Sequence, residues 1–316
     1  MLEQPQVTFI GTATTVLRIG GFTLLTDPNF LHRGQRAYLG KGLWSRRRTD
    51  PALRIAQLPQ LDAVVLSHLH GDHFDRVARR ELDRELPIVT TPAAERKLRR
   101  WGFQAAQGLP TWSSRELHRD GTTLRLTSMP GKHGPGALDR LMPDVMGTMI
   151  DVERSGRREF RLYVTGDTLN RPLLTSIPER YPDVDAMLIH LGGTKVAGIL
   201  LTMDAQQGAD LVELIRPTLT VPIHYDDYPV FRSPLAHFVE EARRRGWVKQ
   251  VRTIARGETT PLTSAPPPSP LFGTERIAGR TLLGPAQATT ELHPRNTVAE
   301  PADVHDTRQR GDDVRP

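Results

Sequence analysis

The chain of 316 residues is 38% hydrophobic, enough to bury the core of one large domain or two smaller ones, which argues against a wholly disordered or fibrous chain. The 42 Lys and Arg residues exceed the 36 Asp and Glu residues, and the net charge of +6 suits an anionic partner without requiring one. Because there is no cysteine, disulfides and thiolate ligands are excluded, and any metal must be held by imidazole and carboxylate groups.

The sequence shows neither a secretory signal nor a membrane-spanning segment. The N-terminus lacks a basic region followed by an apolar stretch. No run of about 18 apolar residues occurs, which is the length that a membrane-spanning helix needs. We therefore expect a soluble, unexported protein of the cytoplasm.

The chain is predicted to open with β-structure. Apolar runs separated by glycine-containing turns predict an antiparallel meander with strands at 7–10, 15–19 and 22–26. A Gly- and Arg-rich loop follows over 27–50, and the apolar run 62–66 predicts a further strand. Helices are expected over 75–85 and 93–101, the second of them after the start signal Thr91-Pro92.

The second half repeats this alternation, with helices expected over 205–215 and 234–245. Strands are expected at 122–128, 148–152, 161–165, 186–189 and 219–222. Two β-rich halves with helices outside predict an α/β fold built as a four-layer αβ/βα sandwich. We expect this domain to span 1–260. Scattered Pro, Thr and charge with little hydrophobic periodicity predict a disordered tail over 261–316.

Four residues able to ligate a metal fall within six positions, directly after the predicted strand at 62–66. They are His68, His70, Asp72 and His73, in the run Ser-His-Leu-His-Gly-Asp-His. A rigid strand end followed by a tight turn can bring such side chains to one ion, and Gly71 is interpreted as the residue that permits the turn. A polar helix cap with coincidental histidines would rarely show this pattern, so we predict a metal site.

The pattern His-x-His-x-Asp-His after a strand resembles the signature of the metallo-β-lactamase superfamily. Within it, the sequence is similar to the branch that includes ascorbate-6-phosphate lactonase and N-acylphosphatidylethanolamine phospholipase D. The resemblance covers about residues 5–260, because the other ligands it implies follow in order just beyond predicted strands. They are His133, Asp167 and His224. Each alone would more often be structural, but the ordered set indicates a dinuclear site.

The resemblance also implies how the ligands are shared between two divalent ions. One ion would be held by His68, His70 and His133, and the other by Asp72, His73 and His224, with Asp167 bridging. Two ions that share a carboxylate can hold a hydroxide between them at about 3.5–4 Å separation and lower its pKa towards about 7. We expect zinc, although Mn²⁺ or Fe²⁺ suits the same ligands.

Several other residues are candidates for shaping the pocket. Asp27, at the end of the meander, either orients a ligand imidazole or makes an Asp-Pro turn. Relatives often carry Gly-His where this chain has Gly11-Thr12, which cautions against copying any one relative's substrate. The loop from Phe30 to Arg48, rich in cations and aromatic residues, either receives a phosphate or carboxylate or is simply solvated.

The acid that would protonate the leaving group is left open by the sequence. His190 ends a predicted strand and either serves in this way or is a structural histidine. The alternatives directly follow the last predicted ligand and are Tyr225, Asp226, Asp227 and Tyr228.

These features predict a metallo-hydrolase that attacks an ester, lactone or phosphodiester bond of an anionic small molecule or lipid, with Asp72, Asp167 and His190 as candidate catalytic residues. One alternative is an iron-dependent dioxygenase on the same fold. Di-iron flavoproteins of the fold typically carry Glu where this chain has His70. The other alternative is a nucleic-acid-processing phosphodiesterase, which usually carries an inserted domain that is not found between His133 and His224.

Overall fold

The computed structural model describes residues 4–136 and 142–263 of the chain. The strands in these residues are numbered in chain order. The first eight are β1 (Gln6–Gly11), β2 (Thr14–Ile19), β3 (Phe22–Thr26), β4 (Arg36–Tyr38), β5 (Trp44–Arg46), β6 (Ala63–Val65), β7 (Ile88–Thr90) and β8 (Ala106–Gly108). The others are β9 (Ser114–Arg119), β10 (Thr122–Met129), β11 (Gly147–Arg154), β12 (Arg157–Val164), β13 (Ala186–His190), β14 (Lys195–Val196), β15 (Ile199–Leu200), β16 (Leu219–Ile223) and β17 (Thr259–Pro261).

Five α-helices accompany these strands within the described ranges. They are α1 (Arg76–Glu81), α2 (Pro92–Arg100), α3 (Ser176–Arg180), α4 (Ala205–Ile215) and α5 (Leu235–Arg244). Side-chain caps fix where three of them begin, because Asp75, Thr91 and Asp204 accept hydrogen bonds from backbone N–H groups of the first turn. Single 3₁₀ turns lie at Ile55–Gln57, Pro172–Thr175 and Val248–Gln250. No helix of the described ranges is both long and apolar enough to cross a membrane.

The strands form two large sheets. The first has the order β17-β1-β2-β3-β6-β7-β8 and the second the order β16-β13-β12-β11-β10-β9. Both begin as antiparallel meanders and then add parallel strands, since β3, β6, β7 and β8 pair in parallel, as do β12, β13 and β16. Two short hairpins, β4 with β5 and β14 with β15, lie outside these sheets.

Buried apolar side chains divide the domain into layers. One cluster, with Phe9, Leu17, Leu126 and Ile150 among its members, fills the space between the two sheets. A second cluster packs the outer face of the first sheet on α1 and α2, and a third packs the outer face of the second sheet on α3, α4 and α5. The predicted four-layer αβ/βα sandwich is therefore confirmed.

The carboxyl ends of the parallel strands of both sheets meet at one edge of the sandwich. Backbone hydrogen bonds join the sheets there, from Met146 N–H to Ser67 O at 3.1 Å and from His224 N–H to Thr12 O at 2.8 Å. This edge carries the predicted ligands, because each of them follows the end of β6, β10, β12 or β16. Three residues at the same edge, Thr12, Asp27 and His224, have positive φ angles of 55°, 34° and 63°. Such backbone strain is concentrated at functional sites.

The structure differs from the sequence-based expectation in two places. The loop predicted over 27–50 contains the β4–β5 hairpin, whose three-residue strands are too short to show a periodic pattern. The predicted domain boundary between 260 and 261 falls inside β17, which pairs with β1, and Leu262 is fully buried. The predicted disordered tail beyond residue 263 lies outside the described residues.

Candidate metal centre

The loop after β6 is held in place from both of its ends. At its start, Ser67 donates from N–H and from Oγ to Asp27 Oδ1, at 2.7 and 2.9 Å. At its end, the carboxylate of Asp75 caps α1 and also accepts hydrogen bonds from the backbone of Phe30 and Leu31. The ligand-rich segment between these anchors is therefore fixed by buried hydrogen bonds rather than by its own sequence alone.

Three imidazole rings converge at this edge and form what we call the three-imidazole group, His68, His70 and His133. Nδ1 of His70 lies 3.0 Å from Nε2 of His68 and 3.3 Å from Nε2 of His133. All three side chains are buried, with at most 8% of any residue exposed. Three nitrogens that face one another in this way match the ligand set of a metal ion with an open coordination position.

Four further residues form the mixed group, Asp72, His73, Asp167 and His224. Nε2 of His73 lies 3.2 Å from Oδ2 of Asp167, and Nε2 of His224 lies 3.6 Å from Oδ2 of Asp72. One potential ligand atom from each member lies within 4.8 Å of those of the others, and all four residues are buried. The structure thus brings all seven predicted ligands together in two adjacent groups.

In four of the five histidines of the two groups, Nδ1 contacts a protein atom outside the seven ligand residues. Nδ1 of His133 lies 3.0 Å from Leu201 O, and Nδ1 of His224 lies 3.0 Å from Leu191 O. Nδ1 of His73 lies 3.2 Å from Asp27 Oδ2, while Nδ1 of His68 lies 3.0 Å from the Ser67 hydroxyl. A partner on Nδ1 fixes the ring and leaves Nε2 directed into the groups, as is usual for metal-ligating histidine.

Burial keeps the three-imidazole group neutral. It lowers the pKa of His68 well below its usual value, lowers the pKa of His133, and lowers the pKa of His70 to about 3. Neutral imidazole is the form that binds a metal, because its nitrogen lone pair must be free. The environment therefore favours the ligating form of these rings.

The mixed group has the opposite electrostatic character. Although burial opposes the shift, the carboxylates of Asp167 and Asp27 raise the pKa of His73 well above its usual value. Burial likewise opposes the shift at Asp167, but the positive charges of His224 and His73 lower the pKa of this carboxyl well below its usual range. The group therefore contains buried negative charge that requires a positive charge beside it, and a divalent cation would supply one.

Buried polar atoms without hydrogen-bond partners also indicate that the mixed group could hold a metal. Four buried atoms of the mixed group make no hydrogen bond within the described residues, namely Asp72 Oδ1, His73 Nε2, Asp167 Oδ1 and His224 Nε2. An unsatisfied buried polar atom is costly, so four of them side by side require an explanation. Nitrogen and oxygen ligands without sulfur suit Zn²⁺, Mn²⁺ and Fe²⁺.

Asp27 and His190 lie beneath the two groups rather than at the open side of the site. Both are almost fully buried, and Nε2 of His190 lies 3.3 Å from Asp27 Oδ2. The other ring nitrogen of His190 lies 3.2 Å from Thr165 Oγ1. Both nitrogens of His190 thus contact protein groups, as those of a structural histidine would, and protonation of a leaving group by His190 stays a prediction. Of the two roles considered for Asp27, contact with a ligand imidazole is the one observed.

Replacing Asp27 with asparagine is expected to weaken metal binding about 10- to 100-fold. The amide oxygen can still accept from Ser67, but the amide NH₂ would then face Nδ1 of His73. That ring would carry its proton on Nε2, the nitrogen that has to bind the metal. Titration with a competing chelator measures the affinity, and Asp151→Asn, a buried aspartate paired with Arg161 elsewhere, is the control. Equal affinities for the two variants would contradict this role.

The residues that directly follow His224 build a support behind the site. Asp227 is fully buried and accepts from Thr12 N–H at 2.7 Å, while the Tyr228 hydroxyl donates to Asn29 Oδ1 at 3.0 Å. Asp226 is exposed and pairs with Arg256 at 2.5 Å. Tyr225 packs against the cluster between the second sheet and its helices. These contacts position the chain around His224. In the described residues, none of the four side chains donates a hydrogen bond to a member of the two groups.

Of the three consecutive arginines in the basic loop, two face solvent and one is buried. Arg46 and Arg48 are exposed, whereas Arg47 is 1% exposed and donates from Nη1 to Asn29 O at 2.8 Å. Its Nη2 lies 3.6 Å from Asp227 Oδ1. Arg47 is thus part of the buried support and is not available to an anionic ligand, unlike its two neighbours.

Gly71 is required for a reason other than the one inferred from the sequence. Its φ angle is not among the positive ones, so a left-handed turn does not explain it. A Cβ at this position would lie 2.7 Å from both N and O of Tyr38, because the β4–β5 hairpin packs directly on the ligand loop. Gly71 N–H donates to Tyr38 O at 2.9 Å in this contact. Glycine therefore allows the hairpin to approach His70.

Gly71→Ala is expected to destabilise the protein by about 1–3 kcal/mol, because two backbone segments must separate to admit the methyl group. The same separation would free the hairpin, and limited proteolysis should then cut between residues 36 and 46. Urea unfolding and mass spectrometry of the fragments measure the two effects. An unchanged stability together with an uncut hairpin would show that the close packing is not present in solution.

Comparison with known proteins identifies the family. Residues 23–225 match the family model described as the beta-lactamase superfamily domain, which is more than half of the chain. The chain belongs to the beta-lactamase superfamily. All seven predicted ligands fall within that match, since His68 is the first and His224 the last of them.

Relatives agree with this membership of the beta-lactamase superfamily. A protein named UPF0173 metal-dependent hydrolase from Deinococcus radiodurans is 28% identical over 254 residues, which are 80% of this chain and 97% of that protein. A similarly named protein from Methanopyrus kandleri is 26% identical over 259 residues, 80% of this chain and 98% of that one. The predicted class of enzyme, a metallo-hydrolase of this superfamily, is confirmed.

Solved structures show the same fold. A possible metal-dependent hydrolase from Veillonella parvula superposes with a TM-score of 0.69 at 21% identity, covering 82% of this chain and all of that one. An isothiocyanate hydrolase from Delia radicum gut bacteria gives a TM-score of 0.68 at 21% identity with the same coverage. At this identity the likeness establishes the fold, while the predicted branch of the superfamily stays a prediction.

Proposed function

We propose that this metallo-hydrolase works with two divalent metal ions and that these ions are zinc. The three-imidazole group would hold one ion. Asp72, His73 and His224 would hold the other, with Asp167 between the two. The observation that carries the proposal is the arrangement of seven buried ligand side chains in two adjacent groups, of which the mixed group contains four unsatisfied polar atoms. A structural zinc site is usually closed by four ligands, so a set of seven favours a reactive centre.

The proposed reaction is hydrolysis of an ester, lactone or phosphodiester bond in an anionic small molecule. When bound, such an ion pair supplies Lewis-acid catalysis and makes water a nucleophile at neutral pH. Asp72 Oδ1 makes no hydrogen bond within the described residues, which supports a role for this carboxylate in accepting a proton from the attacking water. Asp167 lies beside both His73 and His224, which supports a role for its carboxylate as a ligand shared between the two ions.

The protein around the groups holds this geometry before any substrate arrives. In His68, His73, His133 and His224 the Nδ1 atom has a partner outside the seven ligands, and the partners of His133 and His224 are backbone carbonyls of other segments. Side chains that are held in this way need little reorganisation during the reaction, which is a large source of catalytic power. We therefore propose that Asp27 and Arg47, which are both buried, position the ligand side chains.

Removal of metal is expected to lower hydrolysis at least about a hundredfold, since an ion in such a site contributes several kcal/mol to catalysis. The full chain, without an affinity tag, is stripped with a chelator, dialysed, and assayed on bis-p-nitrophenyl phosphate, p-nitrophenyl phosphate, a p-nitrophenyl ester and a lactone. Addition of two equivalents of Zn²⁺ should restore activity. Mn²⁺ and Fe²⁺ are tested in parallel, because they suit the same ligands.

The outcomes separate the proposed function from its alternatives. Hydrolysis that is equal with and without metal would contradict a metal-dependent mechanism. Purified protein that carries iron, hydrolyses none of the four substrates and consumes oxygen would support the dioxygenase alternative. Cleavage of single-stranded nucleic acid in preference to the small substrates would support the nuclease alternative. Which of the four bonds is cleaved best then defines the substrate class.

A further inference from the structure

A cavity of about 240 Å³ lies beside the metal centre and shares the His70 ring with it. Its walls come from three separate parts of the chain, namely the β4–β5 hairpin, the segment from Leu69 to Arg79, and α2 with Trp101. We call it the aromatic cavity. Cavities that hold drug-sized ligands measure about 300–1,000 Å³, so this one suits a group of one or two rings.

Aromatic side chains form much of the wall. Trp101 stacks on Phe74 with ring centroids 6.3 Å apart, and Tyr38 lies 4.9 Å from Trp44 across the hairpin. Tyr38 and Trp44 are 45% and 56% exposed, and Ile199 is the other large apolar side chain of the described ranges exposed to such a degree. Two of these three side chains therefore line one cavity, which is the pattern of a ligand site rather than of scattered surface residues.

Four cations surround the same cavity, Arg36, Arg76, Arg79 and Lys97. The guanidinium carbon of Arg79 lies 4.3 Å from the centroid of the Trp101 ring, and Nζ of Lys97 lies 5.0 Å from it. Arg76 donates to the backbone oxygen of Arg36 at 3.0 Å. Throughout residues 4–136 and 142–263, none of the four pairs with a carboxylate.

One acidic residue, Asp75, lines the cavity, and both oxygens of its carboxylate already accept hydrogen bonds from the backbone. Oδ1 accepts from the N–H groups of Val77 and Ala78 at 2.8 Å each, and Oδ2 accepts from Phe30 and Leu31. The four cations therefore outnumber the acid at the cavity, and the acid faces backbone donors. An anionic group of a ligand would supply the negative partner that these cations lack.

We propose that the aromatic cavity binds the non-reacting end of the substrate, a flat apolar group of one or two rings that carries a negative charge. The position beside His70 places that group next to the bond that the metal centre cleaves, so this inference rests on the proposed function. The apolar rings contact Phe74, Trp101 and the hairpin, and the anionic group lies between Arg79 and Lys97. The cavity thus selects the substrate, while the metal centre cleaves it.

Binding of 2-naphthalenesulfonate to the metal-loaded full chain tests the cavity without any need for turnover. The probe has the ring and the charge, and a sulfonate is a poor zinc ligand. We expect measurable binding by calorimetry and quenching of tryptophan fluorescence, and binding at least about tenfold weaker for uncharged 2-naphthylmethanol. The double variant Arg79→Gln/Lys97→Gln should lose about tenfold in affinity for the sulfonate and little for the alcohol.

Two comparisons keep this test specific. Arg96→Gln/Arg100→Gln removes the same charge from exposed positions of α2 that do not line the cavity, and it should bind like the parent protein. Trp44→Ala changes an exposed side chain, so the protein should stay folded while losing affinity for both ring compounds. Equal affinity of Arg79→Gln/Lys97→Gln and its control for the sulfonate would overturn the proposal.

The link to the substrate is tested by competition with the best substrate of the assay panel. Competitive inhibition by the sulfonate, with an inhibition constant raised about tenfold in Arg79→Gln/Lys97→Gln, supports the proposal. Binding without competition would show that the cavity serves a ligand other than the substrate and would overturn it. If the parent protein binds the sulfonate yet cleaves no substrate, the proposed function fails and substrate recognition fails with it, while the anion site itself is supported.

Discussion

Replacing Asp167 with asparagine is expected to lower hydrolysis by about a thousandfold, which corresponds to about 4 kcal/mol of transition-state stabilisation. Asp167 lies between two members of the mixed group, with Oδ2 at 3.2 Å from His73 Nε2 and Oδ1 at 3.5 Å from His224 Nδ1. Asparagine keeps the size of the side chain but removes its charge and one oxygen ligand. The buried negative charge that a cation would balance is then diminished.

The measurement is kcat/KM on the best substrate of the panel together with the metal content of the purified variant. We expect metal content to fall along with activity, because the same carboxylate serves both. Asp210→Asn, an exposed aspartate on α4 that pairs with Arg245, is the control for loss of one negative charge and should match the parent protein. A fully active Asp167→Asn protein with unchanged metal content would refute the bridging role.

Arg47→Met is expected to lower the free energy of unfolding by about 3 kcal/mol, at the lower end of the range for breaking a buried ion pair. The side chains of Arg47 and Asp227 are both fully buried, and Arg47 also donates to Asn29. Methionine fills a similar volume but leaves the charge of Asp227 without this partner. Arg256, at 3.2 Å from Asp227, keeps part of the compensation.

The neighbours of Arg47 provide matched controls within the same three-residue run. Arg46→Met and Arg48→Met change exposed side chains, so each should alter stability by less than about 0.5 kcal/mol. Urea unfolding of the three variants measures the difference. For a domain of this size a loss of 3 kcal/mol corresponds to a fall of about 6–12 °C in melting temperature. Equal stability of the three variants would show that Arg47 is not buried as described.

The parts of the fold that the sequence predicts well are those whose signals are local. For α4, Asp204 at the start and the apolar face of the following residues define the helix, and the predicted bounds 205–215 are the observed ones. The order of ligands at strand ends was also visible, because each follows an apolar run long enough to be read as a strand. The four-layer arrangement follows from two such β-rich halves.

Other features depend on contacts between distant segments and leave no local signal. His190 ends a strand as His224 does, yet Asp27, which lies 163 positions earlier in the chain, holds it beneath the site. The run at 46–48 shows three identical side chains, and only the packing of a short strand against Asp227 turns the middle one inward. Gly71 is explained by the backbone of Tyr38, which the sequence does not place beside it.

The aromatic cavity likewise depends on contacts between distant segments. The sequence makes the basic loop a candidate anion site, but of the cations in that loop only Arg36 lines the cavity. The others come from α1 and α2, whose charges resemble those of any solvated helix face in the sequence. Their meeting with Trp101 and the hairpin is a property of the tertiary structure.

The most direct test of the dinuclear centre is an anomalous difference map from crystals of the zinc-loaded protein. We predict two peaks at the edge where the sheets meet. One should contact His68, His70 and His133, and the other Asp72, His73 and His224, with Asp167 beside both. A single peak in the three-imidazole group, or peaks away from the seven ligands, would contradict the two-metal account.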